Sequence, residues 1–219
     1  MAFADKKIIV FDWDGTLFDS MAYKCSNFVD IFERLGCDPK DLISLHTEYT
    51  GLPRRALFGL VFSEFLKKNL TDNDFQELSH QYTELNKEDS KGVKLFDEVE
   101  STLVDLKKQY TLIISSSSVQ NELDAVTKNK NIAHYFQLIL GSEQNFSKGP
   151  EHIQHICAEF YLPRESILFI GDDQKDIELA MQSGVDVVRV MRDEEGIKGD
   201  YLQVPHIKRI DEIYKFLEL

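Results

Sequence analysis

Cysteine is scarce in this chain, and negative charge outweighs positive charge. Cys25, Cys37 and Cys157 are odd in number and lack CxxC spacing, which favours reduced, structural thiols over disulfides or a zinc site. The 25 Lys and Arg residues face 38 Asp and Glu residues, which gives a net charge of −13. This charge disfavours nucleic acid and anionic membranes as partners, so an anionic substrate has to be captured by local positive charge and metal.

Long apolar segments are also missing. Although 42% of the residues are hydrophobic, no apolar run reaches the length that spans a bilayer. The first residues, with Asp5, Lys6 and Lys7 ahead of a short apolar run, lack the pattern of a signal peptide. We therefore expect a cytoplasmic protein without a membrane partner, and 219 residues suffice for one large or two small domains.

The most informative segment is IIVFDWDGT, at residues 8–16. Its apolar half predicts a buried strand of a parallel sheet, and Gly15 supplies the turn that follows. Asp12 and Asp14 then lie at the carboxyl end of the strand, where open α/β sheets place their active sites. Because side chains at positions i and i+2 of a strand share a face, both carboxylates can converge on one ligand. The segment predicts a site for a divalent cation and a phosphate.

These residue types suit phosphoryl transfer. A carboxylate is ionised at neutral pH, so Asp12 can attack phosphorus without a neighbouring base. A hard cation such as Mg²⁺ relieves the repulsion between that carboxylate and the phosphate. Asp14 can protonate the departing alcohol and later deprotonate the water that hydrolyses the aspartyl phosphate. The alternative is a polar junction between strand and turn, which the ring of Trp13 supports.

With its preceding strand, the DWDGT motif resembles the opening signature of the haloacid dehalogenase-like superfamily of phosphohydrolases. This family requires a Ser or Thr at the end of a second apolar strand, and here residues 110–114 run directly into four serines. The resemblance makes the Ser115 hydroxyl and the Ser116 amide the groups that bind the transferring phosphoryl oxygens. Four serines in a row leave this register open by one residue, and a helix N-cap is an alternative that uses the same amides.

A lysine from a later loop is the third requirement of the family. Lys148 lies in a loop ahead of a helical segment, and the resemblance implies that it pairs with Asp12 and the phosphate. Many family members have Lys-Pro at this point, whereas a glycine intervenes here. Lys128 and Lys130 therefore stay as alternative candidates.

The fourth requirement is an acidic cluster after another apolar strand, which the sequence ILFIGDDQKD provides. The resemblance implies that Asp172 completes the metal site together with Asp12 and the main-chain carbonyl of Asp14. Asp176, one helical turn further on, is expected to hold the lysine or a metal-bound water from behind the direct ligands. Taken alone, an acidic pair before a helix is an ordinary N-terminal cap.

The apolar runs predict an alternating β/α plan. They lie near residues 7–12, 110–115, 136–141, 166–171 and 185–191. Helical patterns between the later runs predict an α/β fold, with a Rossmann-like parallel sheet and helices on both faces. About seventy residues separate the first two strands, far more than a crossover helix needs, so this interval has to form a unit of its own.

Apolar residues inside this interval recur at helical spacing, which predicts a small bundle of helices. They are Phe28, Phe32 and Leu35; Leu57, Leu60, Val61 and Phe65; and Phe75, Leu78, Tyr82 and Leu85. The resemblance identifies the interval as an α-helical cap domain, residues 18–91, inserted into a catalytic core of residues 1–17 and 92–219. Hinges are expected near residues 16–19 and 90–94, and closure would expel water from the site.

Substrate preference is expected to come from the cap. Residues 50–55 form a turn with Gly, Pro and two arginines, which looks like the loop that reaches over the substrate in related enzymes. Arg54 is the candidate for gripping an anionic leaving group, because a guanidinium binds a carboxylate or phosphate in bidentate fashion. Two solvated arginines at the start of a helix are the alternative, and His46 and Tyr49 are weaker candidates nearby.

Together these features predict a Mg²⁺-dependent phosphatase that acts on a small phosphorylated metabolite through an aspartyl-phosphate intermediate. The resemblance is to the branch of phosphoglycolate phosphatases and β-phosphoglucomutases. Dehalogenases of this fold attack carbon and lack the second aspartate, so Asp14 argues against that chemistry. A phosphosugar mutase carries the same motifs and is the main alternative. A non-catalytic binding protein on this scaffold is the remaining one.

Overall fold

The computed structural model describes residue 3 and residues 5–143, 145–192 and 204–217. The strands in this part of the chain are β1 (Ile8–Phe11), β2 (Thr111–Val119), β3 (Leu138–Ser142), β4 (Ile167–Gly171), β5 (Asp186–Val190) and β6 (His206–Ile207). They form one six-stranded sheet in the order β3-β2-β1-β4-β5-β6. Every neighbouring pair is parallel.

The α-helices fall into two groups along the chain. Between β1 and β2 lie α1 (Met21–Glu33), α2 (Pro39–Glu48), α3 (Arg54–Glu64), α4 (Asp72–Asp89) and α5 (Val99–Leu106). After β2 follow α6 (Gln120–Asn129), α7 (Pro150–Phe160) and α8 (Gln174–Ser183). Short 3₁₀ helices cover Ser90–Gly92, Ala133–Tyr135, Arg164–Ser166 and Ile210–Lys215. Among the described residues, no helix combines the length and the apolar character that a membrane crossing requires.

The five strands predicted from the sequence are all confirmed, with one difference in length. Strand β2 runs on to Val119, four residues past its predicted end, because the serines after its apolar half keep extended backbone. The sequence patterns missed β6, which has only two residues, and the ten-residue helix α2.

Both faces of the sheet are covered, as expected for parallel strands that read as continuous apolar runs. All four residues of β1 are buried. Ile9 and Phe11 pack with α5 and α6 on one face, whereas Ile8 and Val10 pack with α7 and α8 on the other. This confirms the predicted α/β fold with helices on both faces of the sheet.

Helices α1 to α4 surround an apolar core that is separate from the two layers on the sheet. Its centre is Phe58, whose ring lies 5.0 Å from that of Phe32 and 5.8 Å from that of Tyr82. The predicted helical bundle is therefore confirmed, and residues 18–91 are called the helical insertion below. Leu35 was wrongly placed in this core: it is 45% exposed because α1 ends before it.

The register of the sheet decides which residues meet at its carboxyl edge. Phe11 of β1 lies beside Ile114 of β2 and Ile170 of β4, so the residues that follow these three positions emerge at one level. After β1 the chain turns sharply at Gly15, whose φ is +77°. A Cβ atom on Gly15 would lie 2.3 Å from the Oδ2 atom of Asp172. The turn therefore requires glycine for its backbone angle and for the room that it leaves to Asp172.

Replacing Gly15 by alanine tests this double requirement. Gly36 is the matched control, because its φ is +91° and a Cβ there meets no atom within 4 Å. We expect Gly36→Ala to lose about 1–2 kcal/mol of unfolding free energy from backbone strain alone. Gly15→Ala should lose about 1–3 kcal/mol more, since Asp172 has to move. Urea unfolding monitored by circular dichroism measures both values, and equal losses would contradict the predicted contact.

Candidate active site

Three carboxylates meet at the carboxyl edge of the sheet. Oxygen atoms of Asp12, Asp172 and Asp176 all lie within 4.8 Å of one another. Burial raises the pKa of Asp12 well above its usual range, although Lys148 opposes this, and the other carboxylates add to the rise. Burial and the charge of Asp176 likewise raise the pKa of Asp172 to about 7. Carboxylate oxygens at this spacing suit a hard divalent cation, and such a cation would relieve their repulsion.

Lys148 is the one cation that contacts two of these three carboxylates in the described part of the chain. Its Nζ atom lies 2.6 Å from Oδ1 of Asp12, and it also pairs with Asp176. Burial alone would lower the pKa of Lys148, but the charges of Asp12 and Asp176 raise it above its usual value. When all three carboxylates are ionised, they and Lys148 together carry a net charge of −2, which a divalent cation would neutralise.

This lysine is the one that the sequence motif indicated. The alternatives are wrong: Lys128 is exposed on α6, and the Nζ atom of Lys130 donates to the main-chain carbonyl of Val93, 2.6 Å away. Asp176 holds Lys148, which is one of the two arrangements expected for it. Asp176 and the N-cap residue Asp173 form a capping box at the start of α8, and this fixes the position of the Asp176 side chain.

Asp14 has a different set of partners from Asp12. Its carboxylate accepts hydrogen bonds from Ser20 Oγ at 2.5 Å, Lys24 Nζ at 2.7 Å and Ser118 Oγ at 2.8 Å. Burial would raise the pKa of Asp14, but the charge of Lys24 and these hydrogen bonds lower it below its usual value. The two aspartates of the motif thus face different groups, and only Asp12 shares the carboxylate cluster with Asp172.

Sequence reasoning missed Lys24, although the sequence carried a signal for it. Lys24 lies in the second turn of α1, in line with the buried residues Phe28 and Ile31 at positions i+4 and i+7. A lone charge on the apolar face of a helix is costly unless it is paired, so such a residue has a buried partner. Here the partner is the second aspartate of the first motif.

Arg192 is a second residue that sequence reasoning missed. Its guanidinium donates to the carbonyl oxygens of Gly15 at 3.2 Å and Thr16 at 2.6 Å, and it pairs with Glu98 at 2.8 Å. Because main-chain carbonyls are its acceptors, no acidic motif near Gly15 could have revealed it. The contact holds the turn after β1 against the rest of the sheet edge.

The expected phosphate groups on β2 need a correction. The Ser115 hydroxyl is fully buried and lies 2.8 Å from Nδ1 of His152, and the Ser116 hydroxyl accepts a hydrogen bond from the Ser118 amide. Ser117 and Ser118 line the cavity at the sheet edge instead. The reason is that β2 continues past Ser115 with an irregular pairing to β3, which carries the end of the strand on to Val119.

The cavity itself lies between the sheet edge and the helical insertion. It holds about 100 Å³, which suits a small molecule rather than a cofactor or a polymer. His46 and Tyr49 line it, as do the apolar side chains of Leu52 and Leu57. Burial lowers the pKa of His46 to about 4, so this ring is neutral at physiological pH.

Arg54 reaches the cavity wall, but it is not the free cation that the sequence suggested. Its guanidinium is buried and donates to Glu122 Oε2 at 2.5 Å, Thr83 Oγ1 at 2.6 Å and the Ser79 carbonyl at 3.1 Å. The alternative of two solvated arginines is also wrong for Arg54, although it holds for its exposed neighbour Arg55. The Arg54 side chain is already hydrogen-bonded to residues on α4 and α6. No local sequence pattern could reveal these tertiary partners.

Comparisons with known proteins agree with this geometry. The model of the haloacid dehalogenase-like hydrolase family matches residues 9–190. A phosphoglycolate phosphatase of Mannheimia succiniciproducens is 29% identical over 192 residues, which cover 83% of this chain and 84% of that protein.

Solved structures share the fold over nearly the whole chain. A haloacid dehalogenase-like hydrolase of Streptococcus pneumoniae, SP0104, superposes with a TM-score of 0.75 at 22% identity, covering 97% of this chain and 99% of its own. The magnesium-bound hydrolase YfnB of Bacillus subtilis gives a TM-score of 0.74 at 20% identity and covers 98% and 99% of the two chains. Since the family model spans most of the sequence, this chain belongs to the haloacid dehalogenase-like hydrolases.

Proposed function

We propose that this phosphatase hydrolyses a small phosphorylated metabolite with Mg²⁺, and that Asp12 is its nucleophile. The observation that carries the proposal is the cluster of Asp12, Asp172 and Asp176 at the sheet edge, in which Asp172 is half-buried and Lys148 pairs with the two buried members. Three carboxylates with one lysine leave two negative charges unbalanced, which is costly in a buried site without a cation. The likeness to a magnesium-bound hydrolase supports the choice of metal.

Asp12 and Asp172 would hold the ion through carboxylate oxygens, with the main-chain carbonyl of Asp14 as a further ligand. When bound, Mg²⁺ supplies charge neutralisation, which lets a phosphate ester approach the carboxylates. Asp12 then attacks phosphorus and forms the aspartyl phosphate. Lys148 is placed to bind a phosphoryl oxygen, since its ammonium group already lies beside Asp12.

The serines that line the cavity would bind the remaining phosphoryl oxygens. This assigns to Ser117 and Ser118 the role that the sequence motif gave to Ser115 and Ser116. Hydroxyl groups at the end of β2 are held by the sheet, so they need little reorganisation as charge develops on the phosphoryl group.

Asp14, whose contacts favour its ionised form, would act as the base that activates water. To act first as the acid that protonates the leaving oxygen, it has to take up a proton in place of its contact with Lys24. Its contacts with Ser20 and Lys24 in the helical insertion link this group to the position of the insertion. We propose that residues 18–91 are a cap domain on a core of residues 1–17 and 92–219. Closure of the cap would expel bulk water from the site while Asp12 attacks the phosphate ester.

The cavity supports a leaving group of two or three carbons. Its volume of about 100 Å³ lies below the range of typical ligand pockets, and a relative is a phosphoglycolate phosphatase. A phosphosugar mutase has to hold a whole sugar as acceptor, which needs more room. We favour water as the acceptor, because curated relatives of this chain are phosphoglycolate phosphatases.

Replacing Asp12 by asparagine tests the nucleophile. Asparagine keeps the size of the side chain but cannot form the acyl phosphate, so we expect turnover of an aryl phosphate with Mg²⁺ to fall by at least about 10³-fold. Asp30→Asn, an identical change at an exposed position on α1, should leave turnover unchanged. Release of inorganic phosphate measures both rates. Turnover by Asp12→Asn equal to that of the wild type would refute the assignment.

Metal binding should depend on pH in a defined direction. The cation binds the ionised form of Asp172, whose pKa without metal is raised to about 7, so protons compete with the ion below that pH. We expect the Mg²⁺ affinity to fall by about tenfold or more for each pH unit below 7, because the raised pKa of Asp12 adds a second competing proton. Titration calorimetry in buffers of different ionisation enthalpy measures the affinity and the released proton. An affinity that does not change between pH 5 and 8 would contradict the arrangement.

A further inference from the structure

Glu122 is a buried carboxylate whose partners all come from the helical insertion. It lies in the first turn of α6 and is 2% exposed. Its oxygens accept hydrogen bonds from Arg54 Nη2 at 2.5 Å, Asn86 Nδ2 at 3.1 Å and Thr83 Oγ1 at 3.4 Å. Lys24 Nζ lies 3.5 Å away. One carboxylate of the sheet domain thus collects groups from α1, α3 and α4.

The burial of this group explains why the contact is specific. A carboxylate in this environment is strongly destabilising unless several donors surround it, and here the donors sit on three separate helices. These donors can reach Glu122 together only when the helical insertion lies in one particular position on the sheet domain. A hydrogen bond from Ser117 Oγ to the Gly51 carbonyl, 3.1 Å long, also joins the sheet domain to the helical insertion. This neutral contact does not require several donors in fixed positions.

Lys24 connects Glu122 to the reaction site. Its ammonium group donates to the Asp14 carboxylate at 2.7 Å and to Ser118 Oγ at 2.8 Å, on the side away from Glu122. The Lys24 carbonyl in turn accepts a hydrogen bond from Tyr82 at 3.0 Å, which fixes α1 against α4. Charges therefore alternate along one line, from Asp14 through Lys24 and Glu122 to Arg54.

We propose that Glu122 is a positioning residue: it seats the helical insertion on the sheet domain and thereby aims Lys24 at Asp14 and Ser118. Arg54 is the main partner of Glu122, and its role is to hold the helical insertion in position rather than to bind the leaving group. The proposal rests on the proposed function only in that Asp14 is there the acid and base. Glu122 touches neither substrate nor metal, so its effect reaches the reaction through the position of the insertion.

A double-mutant cycle between Glu122→Gln and Arg54→Met tests this role in catalysis. Displacing a reacting group by about 1 Å costs on the order of 10²-fold in rate, so we expect each variant to lower kcat by about 10²-fold. KM for an aryl phosphate should change little, because the phosphoryl-binding groups belong to the sheet domain. The double variant should be no slower than either single variant, since both changes remove the same contact between Glu122 and Arg54. A double variant slowed by the product of the two factors would overturn the proposal.

Matched controls separate this effect from general loss of charge. Glu159→Gln on α7 and Arg55→Met on α3 make the same chemical changes at exposed positions, and both should keep wild-type kcat. Melting temperatures of all variants show whether each is folded at the assay temperature.

Distances between spin labels test the position of the helical insertion on the sheet domain independently of activity. Ile43, 48% exposed on α2, and Tyr161, 92% exposed after α7, are replaced by labelled cysteines in a chain without the native cysteines. The unsubstituted labelled protein should give one narrow distance distribution, and Glu122→Gln should broaden it toward longer distances. An unchanged distribution in Glu122→Gln would overturn the proposal. If the wild type hydrolysed no phosphate ester while the distances still responded, the proposed function would fail and this inference would stand.

Discussion

Repulsion among three carboxylates in one small space is the constraint on which the rest of this structure depends. Asp12 lies far from Asp172 and Asp176 in the sequence, and the oxygens of all three lie within 4.8 Å of one another. Lys148 balances one negative charge, and burial makes the remaining two expensive. A divalent cation would stabilise the ionised form of such a site, and in the proposed function it would also let a phosphate ester approach Asp12.

The fold meets this constraint through the register of the sheet and through two residues, Gly15 and Arg192, that shape the turn after β1. Strands β1 and β4 end at the same level, which sets Asp12 and Asp172 side by side. The glycine at position 15 leaves room for Asp172, and Arg192 holds the carbonyls of the same turn. The ionised groups around Asp14 form a second line of charges, which runs into the helical insertion through Lys24. In the proposed function, catalysis and the position of the helical insertion would therefore depend on neighbouring but different charge pairs.

Parts of this site could be predicted from the sequence because they follow from strand ends. Asp12, Asp172 and Lys148 each come directly after or before a strong local pattern, and the sheet brings them together as expected. The serines could not be placed, because the end of β2 is decided by its irregular pairing with β3 rather than by its own residues. Glu122 gave no local signal at all, since its partners lie 36 or more positions away in the sequence and only the packed insertion brings them close.

The most direct measurement of the central claim is anomalous scattering from crystals soaked in Mn²⁺, a cation of the same preference for oxygen ligands. The account predicts one strong peak within about 2.3 Å of carboxylate oxygens of both Asp12 and Asp172, and of the Asp14 carbonyl. A well-ordered site with no peak there, or with the ion on exposed acidic side chains only, would contradict it.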